Sequence, residues 1–331
     1  MITDKDADFH DRDPSDLSWT ETTFLPFGVP EAGIFGNAYV LARPNLGVVA
    51  SSIIVSQGFC NQPYQIDFTD PQMHLRCPPS FSKYALSNGL KVEATNGPRD
   101  YHLQYENVLG ACSFDLTFKG LHHPFDPHDP KENPLLKPGE HKPADPRLGT
   151  EWMNGHFEVK GHITGELELR GRRYKVDCYD GMDHSWGPRA EVGTRAVSWI
   201  SLNFGDDLAF HLAVPMNIRN GEVTYDPLRF GFVADKGETF GLVEATVEAT
   251  RVDMLPMTNH IRIKDVRGKE YEYFGSAVGG HPWHSFNPSH VCYQSLMRYQ
   301  DGNNRVGYGE FGDIFGLDYL AERMSRTGRQ R

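Results

Sequence analysis

Fourteen consecutive residues, His156 to Leu169, alternate between two chemical characters. The odd positions are apolar or small: Phe157, Val159, Gly161, Ile163, Gly165, Leu167 and Leu169. The even positions are polar: His156, Glu158, Lys160, His162, Thr164, Glu166 and Glu168. Side chains leave a strand alternately on its two sides, so a period of two demands a sheet with unlike faces. A helix would mix the two sets on every face. Arg170-Gly171-Arg172 then turns the chain, and Tyr174, Val176 and Cys178 run back on alternate positions.

The pattern recurs along the chain. Pro44-Asn45-Leu46-Gly47 splits two apolar runs between Tyr39 and Val55, a hairpin signal. Tyr101, Leu103 and Tyr105, then Phe114, Leu116 and Phe118, alternate as strands do. Val243 to Thr250 alternates apolar with polar, and Ile261, Ile263 and Val266 lead through Arg267-Gly268-Lys269 to Tyr271 and Tyr273. With 33 Gly and 22 Pro among 331 residues, long helices find little room. The best helical period is Ile314 to Met324. Residues 1 to about 20 are polar and acidic and read as a mobile or loosely docked arm. The stretch 120–150 carries seven prolines and four histidines, which suits a lid, a binding loop or disorder.

One correspondence suggests two related halves. Arg170-Gly171-x-x-Tyr174 precedes His184-Ser185-Trp186, and Arg267-Gly268-x-x-Tyr271 precedes His281-Pro282-Trp283. In both, the histidine follows the turn glycine by 13 positions. A repeated strand–turn–strand unit is the signature of repeated architecture; chance recurrence in a Gly-bearing β-protein is the competing reading. The expected fold is therefore all-β, with two antiparallel barrels packed side by side and few short helices. The expected domains are residues 1–188, including the 120–150 loop, and residues 189–331.

Charge narrows the partners. A net charge of −11 argues against nucleic acid and against a polybasic membrane surface. No apolar run approaches the length of a membrane helix, and MITDKDADFHDRD has no apolar signal core, so no membrane insertion and a cytoplasmic location are expected. The five cysteines are odd in number and none sits at C-x-x-C spacing, so they read as buried small hydrophobes.

The densest chemical signal is Gly181-Met182-Asp183-His184-Ser185-Trp186-Gly187-Pro188-Arg189. Asp183 and His184 are candidate acid–base groups, Arg189 a partner for the carboxylate or for an anion, and Trp186 a wall for an apolar pocket. The alternative is a structural clasp, with Trp186 as core plug. His281 and Trp283 mirror the imidazole–indole pair and are candidate cleft residues. His156 and Glu158 share one strand face and are expected to meet His184 across the next strand. Tyr101 is a candidate phenol, or an ordinary sheet residue. His122, His123 and His128 could supply metal ligands, but they lack a frame of recognised spacing, so no metal is expected. The Rossmann, P-loop, H-E-x-x-H and G-x-S-x-G motifs are all absent.

DHSWGPR resembles the D-H-x-W-G-x-R signature of the hydroxyneurosporene synthase (carotenoid 1,2-hydratase) and AttH-like family. Glu21-Thr22-Thr23-Phe24, Pro30-Glu31-Ala32-Gly33-Ile34-Phe35-Gly36 and Arg43-Pro44-Asn45-x-Gly47 are similar to that family's opening strands. Arg298-Tyr299-x-Asp301-Gly302 with Tyr308-Gly309 is similar to its last hairpin. The resemblance covers most of the chain, least over 56–150. It implies two lipocalin-like barrels and proton-driven or shape-driven chemistry on bulky apolar molecules without a redox cofactor. It also implies an acidic residue as proton donor, which in the matched motif is Asp183.

Together these readings lead to a cofactor-independent lyase, hydratase or isomerase. Its expected substrate is a bulky apolar or aromatic small molecule, such as a terpenoid, a polyketide or a phenolic dimer, held in a barrel mouth or between the barrels. Asp183, His184 and Arg189 would be catalytic; Trp186, His156, Glu158, Tyr101, His281 and Trp283 would bind substrate. A lipocalin-like carrier is the alternative, and a homodimer stays open.

Overall fold

A computed structural model describes residues 1–136, 154–189, 193, 195–219, 221–284 and 286–324. The alternating segments become strands of two antiparallel sheets. The first sheet contains β1 (Trp19–Val29), β2 (Ile34–Arg43), β3 (Val48–Gln57), β4 (Phe68–Arg76) and β5 (Lys83–Ala85). It continues with β6 (Lys91–Asn96), β7 (Asp100–Glu106), β8 (Cys112–Gly120), β9 (Gly155–Leu169) and β10 (Arg172–Pro188). Their order across the sheet is β4-β3-β2-β1-β10-β9-β8-β7-β6-β5.

The second sheet contains β11 (Ala196–Asn203), β12 (Leu208–Arg219), β13 (Glu222–Tyr225), β14 (Phe230–Asp235) and β15 (Glu238–Val252). It ends with β16 (Leu255–Asp265), β17 (Glu270–Trp283), β18 (His290–Asp301) and β19 (Val306–Gly316). Here β11 pairs with both β19 and β12, so eight strands close into a barrel, with β13 attached to β12.

The fold is all-β and lipocalin-like in both halves, as expected, but the two halves close differently. No backbone ladder joins β4 to β5 among the described residues. The first sheet curls until the Tyr105 hydroxyl on β7 donates to Asp70 on β4 at 2.8 Å. Asn88 adds 3.1 Å bonds to Ser51 and Asp70 across the same seam. Pro71 in β4 has no N–H to give, which suits an edge strand.

Three expectations need correction. The N-terminal arm is docked: Ile2 and Ala7 are buried, and Phe9 stacks on Phe81 at 4.8 Å. The Asp8 carboxylate holds it by accepting from the Phe81 backbone N–H at 2.6 Å and from the Ser80 and Ser82 hydroxyls at 2.8 Å. The C-terminal helix α1 is Leu317–Met324 and does not begin at Ile314. β19 runs on to Gly316 because ladders on both sides satisfy its backbone, which outweighs the local helical period. Residues 121–136 of the Pro-rich stretch pack against the protein: Phe125 exchanges backbone hydrogen bonds with Glu158 and is buried among Phe230 and Phe232. The remaining positions 137–150 lie outside the described residues.

The two sheets pack against each other through the outer faces of both. Phe24, Tyr39, Leu41, Ala50 and Ile54 of the first meet Trp283, Phe286 and Cys292 of the second. This contact explains a departure in β9. His156, Glu158 and Lys160 lie on the strand's polar side and yet are buried, because there that side faces the second barrel. Further along, Glu166 returns to solvent. No described helix is long and apolar enough to cross a membrane.

Candidate active site

β10 sends adjacent residues in opposite directions. Asp183 and Ser185 point to the contact between the sheets, whereas His184 and Trp186 point into the interior of the first sheet. Strand register fixes the neighbours. Asp183 lies opposite Glu158 and Ser185 opposite His156 on β9, while Phe24 and Thr22 on β1 flank the other side.

Asp183, Ser185, His156, Phe24 and Thr22 line a cavity of about 100 Å³ between the two sheets. Phe24, Tyr39, Trp199, Trp283 and Phe286 supply aromatic walls, and Asp183, His156, Arg189, Gln294 and Glu310 supply polar groups. Asp183, His156, Arg189 and Trp283 are therefore brought together as the sequence suggested.

Hydrogen bonds hold the polar side in place. Glu158 Oε1 accepts from Trp199 Nε1 at 2.9 Å and lies 3.1 Å from His156 Nε2. His211 Nε2 stands 3.4 Å from the same oxygen. Lys160, buried beside them, donates to the Ser201 hydroxyl and lies 3.5 Å from His211 Nδ1. Arg189 donates to Ser185 Oγ at 3.2 Å and to the Tyr39 hydroxyl at 3.4 Å. Thr22 and Ser185 share a 2.7 Å hydroxyl contact. Across the cavity, Gln294 accepts from Asn37 at 3.0 Å and donates to Glu310 at 2.8 Å.

Desolvation dominates the electrostatics. Burial, with the Glu158 carboxylate beside it, pushes the Asp183 carboxyl up to about 7, against the pull of His156, Arg189 and Lys160. Burial likewise pushes Glu158 up to about 8, although Lys160 and the Trp199 N–H oppose it. It pushes His156 down to about 4, so its imidazole is neutral near pH 7. Glu310 is raised well above the carboxylate range, by burial first and then by the charge of Asp180. The cavity thus offers carboxyl groups that hold protons near neutrality beside an imidazole that lacks one.

Other expected residues lie elsewhere. His184 is in the first sheet's interior, 3.3 Å from Glu21 Oε2, with its ring edge toward Phe81. Its expected meeting with His156 and Glu158 fails because those two pair with the cavity-facing residues of β10. Trp186 stacks on His10 at 3.7 Å instead of walling the cavity. Tyr101 sits in the first core against Phe118. His281 is buried near Phe35, outside the cavity wall. Glu158 touches the site through His156 and Trp199.

The repeated hairpins end at the same contact, but their tryptophans do not match. Trp283 lines the cavity and donates to Ser52 Oγ at 2.9 Å, whereas Trp186 faces inward. A bulge between Ala277 and Gly279 shifts the alternation along β17. His122 uses both ring nitrogens, toward the His123 carbonyl at 2.6 Å and the Lys160 backbone N–H at 2.9 Å, and so offers no ligand atom. Cys292 reaches the cavity wall, but burial pushes its thiol well up, away from a reactive thiolate.

Sequence reading missed Trp199, Tyr39, Phe24, Phe286, Gln294 and Glu310. One signal was available: Glu310 and Asp313 are carboxylic acids among the apolar and small residues of β19. The aromatic residues carried none, because core and cavity aromatics look alike in sequence.

No curated protein matches the chain. The structure of kievitone hydratase from Nectria haematococca superposes with a TM-score of 0.51 at 11% identity, covering 90% of this chain and 88% of that one. An AttH chain from Nitrosomonas europaea gives a TM-score of 0.49 at 11% identity, covering 90% and 91%. At such identity the hydratase likeness establishes a shared fold. A family match spans residues 3–313 and so takes in nearly all of both sheets, with Asp183, His156, Arg189, Gln294 and Glu310 of the cavity. The chain thus belongs to the family described as "Domain of unknown function (DUF7064)".

Proposed function

We propose that the cavity between the sheets is the active site of a hydratase- or lyase-type enzyme that works by acid–base catalysis without a redox cofactor. The observation that carries this reading is Asp183: a carboxyl pushed up to about 7 that faces an aromatic-walled cavity. A group of that strength is protonated often enough to donate and acidic enough to do so at neutral pH. The name of the similarly folded kievitone hydratase points to the same reaction class.

In the hydration direction, Asp183 gives its proton to one carbon of an alkene, and positive charge develops on the other. Trp283, Phe24 and Trp199 line the site where that charge develops, and an aromatic ring face turned toward it would stabilise it. A water oxygen then bonds to the cationic carbon and loses a proton to His156. His156 Nε2 lies against Glu158, and whichever ring nitrogen carries no proton takes this one up. Return of the proton from His156 to the Asp183 carboxylate restores the site. Dehydration runs the same steps backwards. Arg189, tied to Ser185 and Tyr39, keeps the carboxyl from rising further.

A cavity of about 100 Å³ accommodates one small ring or a short olefinic end. The rest of a bulky apolar or aromatic substrate extends outward from the cavity. The test is incubation with a panel of terpenoid, polyketide and phenolic olefins in ¹⁸O-labelled water, read by mass spectrometry. Incorporation by the natural chain that Asp183→Asn abolishes supports the reading. Tight binding of a panel member, undiminished in Asp183→Asn and without incorporation or elimination, replaces it with the carrier reading.

A further inference from the structure

On the face of β10 turned away from the cavity lies a second cluster that the proposed reaction does not use. We propose that His10, Glu21 and His184 form a binding site for a divalent transition-metal ion of the zinc class, which fastens the N-terminal arm to the first sheet. The three residues come from the arm, β1 and β10, and their ligating atoms all lie within 4.8 Å of one another. Glu21 Oε2 stands 2.9 Å from His10 Nδ1 and 3.3 Å from His184 Nε2. Bonds of about 2.1 Å in a tetrahedron put ligand atoms about 3.4 Å apart, so small side-chain shifts admit the ion. Two imidazoles and one carboxylate leave a fourth position for water, a common zinc ligand set.

The surroundings are built for this arrangement. His10 Nε2 lies 3.0 Å from Asp6 Oδ1, an acceptor for the proton that must sit there once Nδ1 binds metal. Such carboxylate–histidine contacts fix the tautomer and aim the ring. Stacking on Trp186, at 3.7 Å and 10°, holds the His10 ring in plane. The other carboxylate oxygen, Glu21 Oε1, accepts from Trp19 Nε1 and the His10 backbone N–H, both at 3.0 Å, which leaves Oε2 directed at the imidazoles. His184 Nδ1 is buried without a hydrogen-bond partner among the described residues, so that ring's polar anchorage lies at the cluster. Glu21 and His184 are buried, whereas the His10 side chain keeps 15% exposure and gives an ion a way in from solvent.

Without metal, the same groups form a hydrogen-bonded cluster, so the structure stands in either state and the question is affinity. The full chain, stripped with a chelator and dialysed, is titrated with Zn²⁺ against a chromophoric competitor, with bound metal counted by mass spectrometry. The expected result is one equivalent. His10→Ala and Glu21→Gln should each weaken binding by more than about tenfold, and Asp6→Asn by about tenfold. Zinc should also slow proteolysis within residues 1–18 of the natural chain and not of His10→Ala. Substoichiometric binding at micromolar zinc overturns the proposal. So does binding that both His10→Ala and Glu21→Gln leave within about twofold, with fold verified by circular dichroism.

Discussion

The two faces of β10 carry similar chemical groups in opposite states. On the inner face, His184 and His10 donate to Glu21, and these bonds overcome the cost of burial and hold its carboxyl down at about 2. On the outer face, burial wins: Asp183 and Glu158 are pushed up to about 7 and about 8, because their donors are too few to offset it. A carboxylate given enough donors becomes a structural anion, and one left short of them becomes an acid that holds its proton near neutrality. The step from Asp183 to His184 along β10 crosses from one environment to the other.

The sharpest way to break this comparison is to mutate neighbours on β10. Asp183→Asn should lower turnover by about a hundred- to ten-thousand-fold with little change in the melting temperature. His184→Asn should do the reverse, costing stability while activity of the folded fraction persists. Equal losses of activity in the two variants would mean that the faces are not independent.

Glu21→Ala should destabilise the chain by about 3 kcal/mol, since it strips the partner from a buried polar cluster. Urea unfolding measures it. The pH dependence gives the sign: the Glu21 carboxyl is lowered in the folded state, so its contribution is full above its ordinary value of 4.5 and is lost as pH falls toward 2.

Activity should respond in the opposite range. Asp183 must be protonated to donate, so kcat/KM should fall by about tenfold per pH unit as pH rises above about 7. A profile flat from pH 6 to 9 would remove Asp183 from the acid's role. The smallest effect is expected from Trp199→Phe, which deletes one N–H donor to Glu158 and should cost about 1 kcal/mol of stability. It should also shift the pH profile, because Glu158 and Asp183 titrate together.

Much of this arrangement was legible in the residues. The alternation in β9 gave a strand with two faces, and the DHSWGPR segment gave Asp183, Arg189 and the strand that carries them. Trp283 reaches the cavity although the mirrored Trp186 does not, so the likeness of the hairpins did not by itself place it there. What failed did so at single-residue resolution. His184 and Trp186 were grouped with Asp183 because they are adjacent in the chain, although strand geometry places neighbours on opposite faces. The docked arm was hidden because its anchors, Asp8 to Phe81 and His10 to Trp186, join remote segments.

The sequence alone determined that this chain folds as two β-units with short turns, since period-two alternation and abundant Gly and Pro leave few other ways to bury apolar surface. Tertiary structure alone decided which polar residues would be buried. His156, Glu158 and Lys160 look like a solvated strand face, and only packing of the second barrel against them removes water. That desolvation, a property of the contact and not of any local segment, is what raises Asp183 and Glu158 into the range of working acids.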